Sequence, residues 1–251
     1  MKRQMISPAA PTIQLGSGRM VVAAAWMIVC TAVLLVAADL LRMMADSSGA
    51  ITGTIDSNAG AASMEASLAS IANNPGVHGA ATVLTFLTAF VAVPAVLLGW
   101  RLCVNATPVL AWITATVGLL FVFGRVIHSV TAFALPLILA QTMPADQAGQ
   151  LYQEINLHWS SALVIIPTIV GIALWFPLLA VALYRAHVIP LLAMISVLVG
   201  TVVLLVLGSS YLATPIFGVL TVAGLLPVVS SAGNAHKDAG AAAVLAAAAA
   251  N

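Results

Sequence analysis

Asp39, Arg125 and three histidines stand inside or at the mouths of long apolar runs, and they are the residues of this sequence that could do chemistry. At a helical rise of about 1.5 Å per residue, Arg125 lies roughly 24 Å and Asp39 roughly 28 Å into their runs. His128 follows Arg125 by one turn on the same face, and Ser129 completes the group. His78 opens a second run, with Thr82 and Thr85 below it at i+4 and i+7. His158 opens another, with Ser161 at i+3, and Tyr211 sits with Ser209 and Ser210 in a turn. Ionisable groups at membrane depth are costly and mark either a function or an interhelical pairing. Asp39, His78, Thr82, Arg125, His128, His158 and Tyr211 therefore form a candidate pocket for a small molecule or ion.

Two other chemistries use the same residues. Three imidazoles at similar depth, His78, His128 and His158, could hold a catalytic zinc, or two of them could ligate a haem. No local His spacing motif accompanies them, so no metal or cofactor is assigned. The third reading is a structural lock. A guanidinium stays charged, and Asp39 is the acid at comparable depth. Arg125 is thus expected to face the interior, within salt-bridge or one-water reach of Asp39, with His128 beside it. Arg42 is also near Asp39, at i+3, but is expected closer to the interface, where water screens it. Nucleophile-elbow, phosphate-loop and dinucleotide fingerprints are absent. Cys30 and Cys103 lie at different depths and cannot bridge.

The elements that must carry these residues follow from composition. Of 251 residues, 62% are hydrophobic and 6% charged, and mean hydropathy is +1.13. A soluble domain is about a quarter charged, so a soluble enzyme and a disordered chain are excluded. Eight basic against seven acidic residues leave no field for a nucleic acid. Six runs approach the roughly 20 apolar residues that a spanning helix needs: 20–41, 77–100, 109–135, 159–184, 189–208 and 212–230. The expected fold is an all-α, polytopic integral membrane bundle in the lipid bilayer, with a cytoplasmic segment 1–19, a transmembrane domain 20–232 and an Ala-rich, low-complexity cytoplasmic tail 233–251. Continuous rather than alternating runs exclude a β-barrel. Both termini inside places Lys2, Arg3, Arg19, Arg101, Arg185 and Lys237 in the cytoplasm and Arg42 outside, with Asp46, Asp56, Glu65, Asp146 and Glu154 also outside. The first run, too long for a signal peptide, reads as an uncleaved anchor. Trp100, Trp112 and Tyr184 would anchor the inner interface, and Tyr152, Trp159 and Tyr211 the outer one.

Two outer loops have helical patterning. Met64, Leu68 and Ile71 form an apolar stripe stopped at Asn73-Asn74-Pro75-Gly76. Pro144 is placed to start a helix through Glu154 that carries Leu151, Tyr152 and Ile155. Both are expected over the outer mouth. Pro94, Pro167, Pro177 and Pro227 interrupt spans, which membrane helices tolerate.

Gly18-Arg19-Met20, Asp39, Arg125, the segment from Pro144 to Glu154 before Leu157-His158, and Leu179 to Arg185 running into Ile189-Pro190 together resemble a family of six-helix bacterial membrane proteins, domain of unknown function 4386. The likeness covers about residues 18–230. It implies a six-helix fold in a bacterial plasma membrane and carries no activity. The function expected is binding, sensing or passage of a small solute. A membrane-embedded metal or haem enzyme and a structural subunit of a larger complex are the alternatives.

Overall fold

The computed structural model describes residues 18–46 and 61–249. Every element among them is helical: α1 (Gly18–Ala45), α2 (Ala61–Asn73), α3 (Pro75–Cys103), α4 (Pro108–His128), a π-turn (Ser129–Ala134), α5 (Leu135–Thr142), α6 (Ala145–Leu157), α7 (Trp159–Arg185), α8 (Leu191–Leu207) and α9 (Ala213–Ala249). Lys2, Arg3 and Asp56 lie outside the described residues.

Five stretches are long and apolar enough to cross a membrane: Met20–Ala45, Pro75–Cys103, Pro108–Thr142, Trp159–Arg185 and Ala213–Gly233. The chain is thus an all-helical protein built for multiple membrane passes. The expected fifth run forms only the 17-residue α8, about 25 Å long against a hydrocarbon core of about 30 Å. Its ends are chemically set. Pro190 precedes its first turn, and Gly208, at φ 64°, stops it in a conformation that a Cβ would oppose.

The third run departs from expectation. Instead of ending near residue 135, it continues to Thr142 through the π-turn. Pro136 lies just beyond that turn. It has no N–H for the carbonyl of Ala132, and its ring crowds that carbonyl, so the widened turn falls where regular α spacing is hardest to keep. In the Ala-rich tail α9 continues helically to Ala249, in line with alanine's helix propensity.

Packing follows small residues and aromatic rings. The main core joins α1, α3, α4, α7, α8 and α9 around Phe121, Trp175, Phe176 and Phe217, with the Phe121 and Trp175 rings stacked at 4.7 Å. Gly124 and Gly171 bring the backbones of α4 and α7 together, the close approach by which helices associate where lipid offers no hydrophobic gain.

A second, smaller core caps one end of the bundle. Met64, Leu68 and Ile71 of α2 pack with Leu139, Ala148 and Tyr152 of α5 and α6, so the apolar stripe read from the loop sequence is real. Tyr152 is a correction: expected in an interfacial belt, it is 4% exposed because α6 turns it into the core shared with α2 and α5. Trp112, Trp159 and Tyr211 are exposed, as rings of an interfacial belt would be.

Candidate functional site

Asp39 and Arg42 on α1 and Asp46 just past its end recur at i, i+3 and i+7, and the Asp46 N–H still donates to the Arg42 carbonyl, which keeps the three on one face. They stand about 32, 36 and 42 Å along the axis from Gly18. Arg125 stands about 26 Å and Phe133 about 38 Å from Pro108, and His78 about 38 Å from Cys103. The polar residues therefore straddle the far edge of a slab about 30 Å thick. The α2–α6 cap, rather than water, covers the upper ones.

Arg42 corrects the sequence reading. Expected at a water-screened lip, it is 5% exposed. Its guanidinium carbon lies 5.7 Å from the centroid of the Phe133 ring, a cation–π contact that gains strength when desolvated. Asp46 is 2% exposed, and both carboxylate oxygens lie 2.9 Å from the Ser67 hydroxyl, which donates to them. Ser70 donates to the carbonyl of Ala45 at 2.9 Å, satisfying one of the orphan acceptors at the end of α1. Two serines of α2 thus seat the cap on the first helix.

Phe133 is the hub. Its carbonyl accepts a hydrogen bond from His78 Nε2 at 2.9 Å. A carbonyl can only accept, so Nε2 carries the proton, and the buried Nδ1 has no hydrogen-bond partner. The His78 ring lies 5.9 Å from the Phe133 ring. His128 meets the same ring edge-on at 5.4 Å. The π-turn thus gathers α1, α3 and α4 around one aromatic side chain. It also presents the carbonyl of Thr131 to Tyr152 Oη, which donates at 3.3 Å.

Arg125 faces the interior as expected, at 1% exposure. Asp39 and Arg42 both lie within electrostatic reach of it, and His128 is within reach of both arginines. The direct salt bridge to Asp39 is not formed. Nε and Nη2 of Arg125 have no hydrogen-bond partner among the described residues. One residue earlier, α7 presses on α4 at Gly124, whose carbonyl accepts from Thr168 Oγ1 at 3.1 Å.

The remaining candidates do not join. Thr82 donates its hydroxyl proton to its own helix at the His78 carbonyl, so it has no proton left to donate to a ligand. His158 is exposed and caps α7, with Nδ1 2.7 Å from Ser160 Oγ. Tyr211 is 63% exposed in the turn before α9. The polar groups come from α1 to α4 and the cap, not from all six runs. Among the described residues no three His, Cys, Asp or Glu side chains are grouped to hold one metal ion. The sequence reading missed Asp46, Ser67 and Phe133. The i+4 step from Arg42 to Asp46 was the available signal for the first. The hub role of Phe133 has none in sequence.

Tyr152 yields a test of the cap. Burial pushes its phenol above the ordinary range, opposed by a hydrogen bond with Asn156 and by Arg42. A raised pKa contributes stability that is complete below the unfolded value, about 10, and lost as pH rises through the folded one. Tyr152→Phe is expected to remove the phenol that titrates above about pH 10 in an absorbance titration at high pH. It should cost about 1 kcal/mol at neutral pH, from the lost bond to Thr131. If the component lost in Tyr152→Phe instead titrates at the ordinary tyrosine value of about 10, the phenol is not held in the cap.

The chain matches no protein-family model, no curated protein and no solved structure.

Proposed function

We propose that this is a six-span bacterial plasma-membrane protein with both termini cytoplasmic, which binds a small solute or ion at the capped charge cluster on its outer side. Helix α8 would be the shortest span, accommodated by local bilayer thinning. The resemblance to the six-helix family agrees with this count. Orientation rests on basic residues, with Arg101 and Arg185 at the ends of α3 and α7 opposite the end that carries the cap.

Arg125 carries the binding reading. A guanidinium with two unmet donor atoms, buried at this depth within electrostatic reach of Asp39, Arg42 and His128, is costly to keep for packing alone. Buried unsatisfied groups of this kind call for a partner that completes them.

Two measurements test the proposal. A C-terminal reporter active only in the periplasm should stay inactive, and activity would overturn the orientation. Thermal unfolding of the purified protein, screened against small anions, cations and neutral solutes, should show a saturable shift that Arg125→Gln removes. A screen with no such shift for any class would sink the binding reading.

A further inference from the structure

We propose that the ligand of the cluster is a small monocarboxylate, held bidentately by Nε and Nη2 of Arg125; this rests on the reading of the cluster as a binding site. The two atoms without partners are not an arbitrary pair. Nε–H and Nη2–H lie on one edge of the guanidinium and point the same way, a fork whose spacing matches the two oxygens of a carboxylate. Lysine or a single unmet donor would carry no such geometric information.

The surroundings narrow the class. Asp46 already accepts from Ser67 through both oxygens, and Asp39 lies within electrostatic reach of Arg125. Arg42, turned onto the Phe133 ring, adds a second positive charge nearby. Arg42 and Arg125 against Asp39 and Asp46 leave the cluster without net charge, so a single carboxylate unbalances it less than a dianion would. Size is limited as well. Thr168 lies in backbone contact with Gly124, and the Phe121 and Phe133 side chains are fully buried on the same stretch of the third run. Walls this close admit only a small ligand, which makes acetate the probe.

The probe is radiolabelled acetate in equilibrium dialysis with the full-length protein in detergent micelles, at constant ionic strength set with chloride. Saturable binding by the wild type is expected, weakened at least tenfold in Arg125→Lys, which keeps the charge but loses the fork. His158→Ala, outside the cluster, should bind as the wild type does. Equal binding by Arg125→Lys would overturn the proposal. An Arg125-dependent response to chloride, inorganic phosphate or a neutral solute, without acetate binding, would overturn the carboxylate and leave the binding reading standing. Acetate binding by Asp39→Asn alone would overturn it too, since the fork would then serve the chain's own carboxylate. No response to any solute would defeat both readings. If Arg125→Lys does not fold, the infrared bands of ¹³C-acetate with the wild type decide. Carboxylate stretches displaced from their positions in solution support the fork, and undisplaced bands overturn it.

Discussion

Asp46→Ala is expected to destabilise the protein by about 3–5 kcal/mol, the range for removing one partner of a buried charged group. The carboxylate is 2% exposed and accepts from Ser67 through both oxygens. Truncation removes the carboxylate that accepts from the fully buried Ser67 hydroxyl and takes from the buried Arg42 the acid one turn away. Water cannot repair this easily, because α2 lies over the end of α1. Asp46→Asn keeps an acceptor for Ser67 but not the charge, and should fall between the two. Equilibrium unfolding in mixed micelles measures both. A loss below about 1 kcal/mol for Asp46→Ala, the level of an exposed pair, would mean that the cap opens and that water reaches the cluster.

Gly171→Ala should cost about 3 kcal/mol or more, at the upper end of overpacking effects. A Cβ there would lie 2.5 Å from Cα and 2.7 Å from N of Phe121. Both are backbone atoms, so no rotamer change relieves the clash and α4 and α7 must separate. Separation would stretch the bond from Thr168 to Gly124 and loosen the wall beside Arg125. The solute-dependent thermal shift should therefore shrink along with stability. Gly76→Ala provides the contrast. Nothing lies within 4 Å of its added Cβ, and alanine is the better helix former, so that change should be neutral or mildly stabilising. Equal melting temperatures for the two variants would contradict the tight crossing.

Five of the six expected runs became helices of spanning length and were legible because a bilayer demands long apolar runs, which need no tertiary knowledge to be seen. The cap was legible for the same kind of reason: Met64, Leu68 and Ile71 carry helical spacing in themselves. Arg125 was read as inward because its charge is costly in lipid, and it is inward. The depth arithmetic failed at Arg42. Distance along α1 places it beyond the hydrocarbon, where water is the default neighbour, and only the fold of a segment some 20 residues later replaces that water with protein. Thr82 misled in another way. A hydroxyl on a polar stripe looks available, yet the nearest acceptor is the carbonyl one turn back on its own helix. The length of α8 depended on Pro190 and Gly208, local stop signals that outweigh a hydropathy average.

The π-turn makes the angular setting of the cap a matter of residue count. A π-turn is an α-helix holding one residue in excess. Deleting one residue between Ser129 and Ala134 would restore regular spacing and keep the flanking turns in phase. Straightening the turn at the present chain length would instead rotate everything beyond it by about 100° and push it about 1.5 Å away from Arg125. Leu139 would swing out of line with Met64, Leu68 and Ile71, and Phe133 would no longer offer its ring to Arg42 and its carbonyl to His78 together. The same chain length therefore holds two phases of one helix, a bulged phase in which cap and charges meet and a straight phase in which they are out of step.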